Sequence, residues 1–267
     1  MTNRREQLIS YAVLGVFAII AINLGYVVAG AITAEVVFNW PGLGTLTVTA
    51  LDARDYPLLQ GIFLLVAVAV VVGTIVLAVL AGYAFAFFPF PFKGLFLLLL
   101  LVGLVMPYEA TVIPLYYLFK DAGLTDSYWA LILPQIGLSI PFGTFWMRAF
   151  FRSTPISLVE ASRLDGASSL STLVRVLLPQ AWPALTTLVV LVFMWTWNEF
   201  LLALVMIQSD DLRTAPLGLA LFAGANRTQD PTLTAAAAVL VALPIVVVYV
   251  FLQRSFIRGM FAGGVKE

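Results

Sequence analysis

The sequence predicts an all-α polytopic membrane protein with six transmembrane helices and both termini in the cytoplasm. Hydrophobic residues make up 62% of the 267 residues and charged residues only 10%, whereas soluble domains are about 45–50% apolar and about 25% charged. The apolar residues are grouped in long blocks, and Lys and Arg are concentrated in alternate connections between them. This composition excludes a single water-soluble domain.

Six blocks are long enough to cross a bilayer, which requires about 20 predominantly apolar residues. The predicted spans are roughly 8–33, 61–88, 95–119, 127–150, 184–207 and 232–253. Arg4 and Arg5 give the first span the appearance of a signal peptide. The apolar core of a signal peptide has about 7–15 residues, and the apolar run here is longer. We therefore predict that this span is not cleaved and stays in the membrane as an anchor.

The distribution of basic residues predicts the orientation. With the N-terminus in the cytoplasm, only four of the 14 Lys and Arg residues lie outside: Arg54, Lys120, Arg213 and Arg227. This satisfies the positive-inside rule for short loops. We predict two parts, a first span with a large external loop (1–60) and a five-helix core (61–267) that carries a cytoplasmic loop, 152–183.

The cytoplasmic loop 152–183 has the sequence signals of a short capped helix. Thr154-Pro155 resembles a helix start, with a hydroxyl cap followed by proline at the first helical position. Asp165-Gly166 predicts the end, because glycine adopts the left-handed conformation of a C-cap. A helix this short is not stable alone in water, so we expect it to pack on the bundle or on a partner.

A second helix is predicted from Ser168 to Leu178, and Pro179 is expected to end it. Its apolar residues follow helical spacing and predict one continuous apolar stripe: Leu170, Leu173, Val174, Leu177 and Leu178. An amphipathic connector between two spans explains the same pattern equally well.

The residue inventory argues against catalysis in this chain. Cys and His are both absent, so thiol and imidazole nucleophiles and the softer metal ligands are missing. A phosphate-binding loop ending in Gly-Lys-Ser/Thr is also absent, so a nucleotide would have to bind another chain. The formal net charge of zero argues against a nucleic-acid partner.

Two carboxylates, Glu109 and Glu199, fall within predicted spans. A charged group at a span centre costs about 2.5–3.5 kcal/mol on insertion scales, so each is expected to face a cavity or a partner. With Trp197 and Asn198 they are candidates for a solute path. The alternatives are helix capping near the external interface and, for tryptophan, anchoring at the membrane surface. Two carboxylates are too few to favour a stand-alone channel or secondary transporter.

The cytoplasmic loop resembles the EAA loop of ABC importer membrane subunits. Glu160-Ala161-Ser162, Gly166 and Val176-Leu177-Leu178-Pro179 keep its spacing, with Ser162 and Val176 as mild substitutions. The resemblance implies that the helix around Glu160–Gly166 docks on an ATPase subunit. The implied coupling residues are Glu160, Ala161, Ser162, Arg163, Asp165, Gly166, Leu178 and Pro179.

Residues 72–267 further resemble the carbohydrate-uptake branch, the maltose/glycerol-phosphate type, through motifs such as Ala81-Gly82-Tyr83-Ala84-Phe85 and Trp197-Asn198-Glu199-Phe200. The resemblance implies a type I ABC importer permease fold in a prokaryotic plasma (inner) membrane and a sugar or oligosaccharide as solute. It also implies a second permease subunit, two ATPase subunits that bind ATP and Mg²⁺, and an extracytoplasmic solute-binding protein.

The first external loop differs from that branch. The segment 35–44, EVVFNWPGLG, resembles the dipeptide and oligopeptide permeases, so residues 25–72 read as an insertion from another importer class. A peptide-type ABC importer permease therefore remains the alternative function.

Overall fold

The computed structural model describes the backbone of residues 56–209, 212–225 and 231–262. The predicted first span, 8–33, and nearly all of the predicted external loop lie outside the described residues. Within them the chain is helical, and the connections between helices are short.

Ten helices, numbered from the first described one, make up this part of the chain. They are α1 (Tyr56–Phe87), α2 (Lys93–Val105), α3 (Tyr108–Asp121), α4 (Tyr128–Ser153), α5 (Ile156–Leu164), α6 (Ser169–Gln180), α7 (Trp182–Trp197), α8 (Leu201–Met206), α9 (Ala215–Ala225) and α10 (Pro231–Ala262). Helix α6 contains a π-helical turn, Leu173–Leu177, between two short α-helical pieces.

Three of the described helices are long and apolar enough to cross a membrane: Gly61–Phe87 in α1, Tyr128–Ser153 (α4) and Thr234–Gln253 in α10. They confirm long apolar helices at the predicted spans 61–88, 127–150 and 232–253. Two bent pairs, α2–α3 and α6–α7, bring the count for the described residues to at most five if each pair is one span.

In the structure, the predicted spans at 95–119 and 184–207 are each interrupted by a break in the helix. The first is divided between α2 and α3, which meet at an angle of 102°. Pro107, which has no backbone N–H, stands at the bend as the N-cap of α3. In the second, α7 ends at Trp197 and α8 begins at Leu201.

The centre of the described bundle is the contact between α1 and α4, and α7 packs against α1 and α10. Gly82 of α1 permits the close approach, because an added Cβ would lie 2.7 Å from the Met147 Cβ and 2.9 Å from the Arg148 backbone nitrogen of α4. Small residues allow membrane helices to pack backbone against backbone. Gly82 therefore has a packing role inside the Ala81–Phe85 motif.

Asp126 joins the α3–α4 connection to the segment after α8. Its N–H donates to the Met206 carbonyl at 2.9 Å, and its carboxylate accepts from the N–H groups of Gln208 and Ser209, both at 2.9 Å, and from the Ser209 hydroxyl. Partial burial by itself raises the pKa of Asp126, but these hydrogen bonds outweigh it and hold the pKa below its usual value. Asp126 is therefore ionised at neutral pH and fixes this end of the bundle.

Candidate functional site

Helix α5 ends in a Schellman motif built on Gly166. This glycine has φ of +80°. Its N–H donates to the Arg163 carbonyl at 3.1 Å, and the Ala167 N–H donates to the Ser162 carbonyl at 2.9 Å. These are the two reverse bonds of the motif, which satisfy the last carbonyls of the helix. The predicted end of the helix at Asp165-Gly166 is confirmed.

The predicted start of this helix is wrong by one residue. Pro155 is the N-cap of α5, and no side chain caps the first turn. The Thr154 hydroxyl instead donates to the Phe150 carbonyl of α4 at 3.3 Å. Thr154 therefore ends α4, since its hydroxyl bonds backward along the chain.

Helix α5 has one face on the bundle and one open face. Val159 and Ser162 are buried, with 2% and 7% of their surfaces exposed. Among the predicted coupling residues in α5 and its C-terminal cap, the following are exposed: Glu160, Ala161, Arg163, Asp165 and Gly166. Leu164, which the sequence reading did not single out, is 89% exposed. The described part of the chain thus leaves charged groups and a large apolar side chain uncovered together.

The serine that replaces the second alanine of the EAA pattern has a specific partner. The Ser162 hydroxyl donates to the Val159 carbonyl at 2.8 Å and lies 2.9 Å from the Thr172 hydroxyl. Since the single Ser162 proton is used on Val159, Thr172 is the donor to Ser162. Both side chains are buried, so this bond fastens α5 to α6.

We expect Ser162→Ala to destabilise the junction of α5 and α6 although alanine matches the family pattern. The substitution leaves the buried Thr172 hydroxyl without its acceptor, which costs about 1–3 kcal/mol. Ser162→Ala with Thr172→Val removes both polar groups and should recover much of the loss. Thermal unfolding in detergent is measured for the two single variants and the double variant. If the losses of stability of Ser162→Ala and Thr172→Val simply add in the double variant, the two hydroxyls are not bonded to each other.

A second attachment of the loop to the bundle comes from Tyr83 of α1. This side chain is buried, and its hydroxyl donates to the Ser169 carbonyl at the start of α6 at 3.1 Å. Its ring meets the edge of Phe151 at the end of α4, with centroids 6.0 Å apart. The sequence pattern did not reveal this role of Tyr83, although the hydroxyl of a tyrosine in an apolar span usually has a hydrogen-bond partner.

The predicted single apolar stripe of α6 is not present. Leu173 and Leu177 are buried, at 2% and 0% exposure, but Leu170 and Val174 are 63% and 51% exposed. The π-helical turn Leu173–Leu177 departs from the residue spacing of a regular α-helix, and the apolar residues of α6 divide between buried and exposed positions.

The prediction that Pro179 ends this helix is also wrong. The proline lies in the first turn of the piece that follows the π-helical turn, where a missing N–H is tolerated. Pro179 is exposed, whereas its neighbour Leu178 is partly buried against the main core.

The two candidate carboxylates of the solute path lie in different settings. Glu109 is exposed in the first turn of α3. Glu199 lies at the break between α7 and α8, where its Oε1 accepts from the Tyr108 hydroxyl at 2.6 Å and from the Leu202 N–H at 2.7 Å. Glu199 thus caps the first turn of α8 and ties it to the first residue of α3.

The other two candidates, Trp197 and Asn198, bond to the bundle itself. Trp197 is 5% exposed, its Nε1 donates to the Val241 carbonyl of α10 at 3.0 Å, and its ring stacks on Phe193. The Asn198 amide, which is exposed, donates to the Met194 carbonyl at 2.8 Å. A role of either residue in a solute path stays a prediction.

The described part of the chain contains long apolar helices, and the short helix α5 connects α4 to α6 with one face exposed. This arrangement is typical of a polytopic membrane protein. The chain belongs to the family described as the binding-protein-dependent transport system inner membrane component, whose model matches residues 6–85 and 74–262. The resemblance inferred from the EAA spacing is therefore confirmed, and the chain is a permease component.

Similar proteins are permeases of ABC transporters. The chain is 37% identical over 193 residues, 72% of its length, to a probable ABC transporter permease protein of Bacillus subtilis, of which the match spans 64%. It is 34% identical over 202 residues, 75% of this chain and 71% of the relative, to an arabinooligosaccharides transport system permease protein of Halalkalibacterium halodurans. It is also 34% identical over 193 residues, 72% of this chain and 70% of the relative, to a trehalose transport system permease protein of Mycobacterium tuberculosis.

A solved structure shares the fold. The crystal structure of a bacterial ABC transporter involved in the import of the acidic polysaccharide alginate contains a chain that superposes with a TM-score of 0.62 at 26% identity. The similarity covers 73% of this chain and 72% of the other. An ABC transporter permease fold is thereby confirmed for most of the chain.

Proposed function

We propose that this protein is the membrane-spanning permease subunit of an ATP-driven importer that moves a sugar or oligosaccharide inward by alternating access. The exposed face of α5, presented between α4 and α6 within a permease fold, carries this proposal. ATP and Mg²⁺ bind to separate ATPase subunits, and this chain converts their movement into opening and closing of the path.

The solute class rests on the named relatives. The relatives from Halalkalibacterium and Mycobacterium are named for arabinooligosaccharides and trehalose, and the similar structure belongs to an alginate importer. These solutes are all carbohydrates, which supports a sugar or oligosaccharide over a peptide.

The attachments of the loop give a route for coupling. The Ser162–Thr172 bond joins α5 to α6, and the Tyr83–Ser169 bond joins α6 to α1. A force applied to α5 by a partner is therefore passed to the α1–α4 contact instead of being absorbed in a flexible loop. The 89% exposure of Leu164 supports docking, because covering a large exposed apolar side chain is favourable.

The proposal includes the six-span topology with both termini in the cytoplasm, and residence in the plasma (inner) membrane of a prokaryote. In that orientation the loop 152–183 faces the ATPase subunits. A second permease subunit, a distinct homologue, completes the path, and an extracytoplasmic solute-binding protein delivers the solute.

Purification of the tagged full-length chain from its native membranes in mild detergent tests the proposal. We expect an ATPase subunit and a second permease to copurify, and the complex in liposomes to take up arabinooligosaccharides, trehalose or maltodextrins. Uptake should require both internal ATP and the binding protein. Uptake driven by an ion gradient without ATP would instead indicate a secondary transporter.

A further inference from the structure

An apolar cavity of about 470 Å³ opens between α1, α2, α4 and the start of α6. Its walls include Leu80, Ala84, Phe96 and Ile140. The volume lies within the range of about 300–1,000 Å³ that is typical of small-molecule sites. Nothing in the proposed coupling role of α5 requires such a space.

The cavity wall contains a buried polar group without a partner. Thr144 has no exposed surface, and its hydroxyl makes no hydrogen bond to any residue that the structure describes. The hydroxyl of Tyr83, which also lines the cavity, is by contrast bonded to Ser169. A buried hydroxyl left unpaired is costly, so Thr144 indicates a ligand with a hydrogen-bonding group.

Three cations lie on two of the helices that border this cavity, Lys93 on α2 and Arg148 and Arg152 on α4. Thr144, Arg148 and Arg152 are spaced four residues apart on α4 and therefore follow one face of the helix. Lys93, the first residue of α2, is close enough to both arginines for their charges to repel it. Its Nζ lies 5.7 Å from the ring centre of Phe90, a residue of the cavity wall.

Lys93 Nζ donates to the Phe88 carbonyl at 3.1 Å, but the charges that act on Lys93 and Arg148 within the described residues are positive. The electrostatic neighbours of Lys93 are Arg148 and Arg152, and that of Arg148 is Arg152. The Nε of Arg148 is buried and has no hydrogen-bond partner among the described residues. Holding three cations together is unfavourable unless an anion neutralises them.

We propose that this cleft is a binding site for one anionic phospholipid. An acyl chain fills the apolar cavity, the phosphate lies among Lys93, Arg148 and Arg152, and the Thr144 hydroxyl donates to the ester region between them. An amphiphile with one negative charge matches both halves of the site, whereas an apolar helix of a second subunit would leave the cations unmatched. Basic pockets between membrane helices commonly bind anionic lipid headgroups.

Native mass spectrometry of the purified full chain, with the subunits that accompany it, tests the charge half of the site. Phosphatidylglycerol and phosphatidylcholine with identical acyl chains are supplied in equal amounts. We expect selective retention of phosphatidylglycerol, and Arg148→Gln and Arg152→Gln should each lower the preference about fivefold. Arg175→Gln, an exposed cation of α6 outside the cluster, is the matched control and should leave the preference unchanged.

Ala84→Trp tests the apolar half, because the larger side chain fills the cavity and should reduce retention of both lipids. Thr144→Val is a milder substitution should the tryptophan variant fail to assemble, and it should weaken retention of phosphatidylglycerol. Equal retention of the two lipids by the unmodified protein would overturn the proposal, as would an equal loss of preference with Arg175→Gln. The proposal would also be overturned if Ala84→Trp dissociated the complex without changing lipid retention, because a second subunit would then occupy the cavity in place of the lipid.

Discussion

Gly166→Val is expected to abolish solute uptake and ATPase association while leaving the chain in the membrane. The glycine has φ of +80°, a conformation that costs an L-residue about 1–2 kcal/mol and is least accessible to β-branched side chains. An added Cβ would meet nothing within 4 Å, so the loss comes from backbone strain and not from a clash. Because α5 has only 9 residues, losing its C-cap should displace Arg163–Asp165.

Uptake into liposomes and copurification of the ATPase subunit measure this effect. Gly166→Asn is the graded variant, because asparagine tolerates the left-handed conformation, and it should retain most of the activity. Gly137→Val is the matched control: an added Cβ at Gly137 in α4 also meets nothing within 4 Å, but the residue has no positive φ. Normal uptake by the Gly166→Val variant would show that the capped end of α5 is not needed for coupling.

Glu199→Ala is expected to destabilise the protein strongly, whereas Glu199→Gln should be tolerated. The alanine removes the acceptor of the Tyr108 hydroxyl and of the Leu202 N–H, and each unsatisfied group costs about 1–3 kcal/mol. Glutamine keeps an oxygen at Oε1 and retains both bonds. Thermal unfolding in detergent is the measurement, and Tyr108→Phe should cause part of the same loss.

The same pair of variants separates capping from solute contact. If Glu199 only caps α8, Glu199→Ala should lower the melting temperature and Glu199→Gln should leave the KM for uptake unchanged. If glutamine raises the KM for uptake by an order of magnitude at an unchanged melting temperature, Glu199 contacts the solute and the capping account is insufficient.

Features that depend on neighbouring residues could be predicted from the sequence. Apolar length identified the helices at 61–88, 127–150 and 232–253, since crossing a bilayer imposes a length that composition reveals. The end of α5 could also be predicted, because the left-handed conformation that ends a helix is adopted most easily by a glycine such as Gly166.

Features that depend on contacts distant in sequence were missed. The Tyr83–Ser169 bond joins residues 86 positions apart, and the spacing of apolar residues in α6 did not reveal that Leu173 and Leu177 are buried while Leu170 is exposed. An acidic residue inside an apolar block has the same pattern whether it faces a solute or caps a helix, so only the structure revealed the partners of Glu199.

Cross-linking from Leu164 tests the coupling role of α5 most directly. The chain has no cysteine, so Leu164→Cys introduces a single thiol on a side chain that is 89% exposed. Leu118→Cys, at a residue of α3 that is 63% exposed, is the control at the predicted external side. We expect a thiol-reactive photo-cross-linker at position 164, but not at position 118, to join this chain to the ATPase subunit. An active complex that gives no ATPase adduct from position 164, or gives one equally from position 118, would contradict the coupling role.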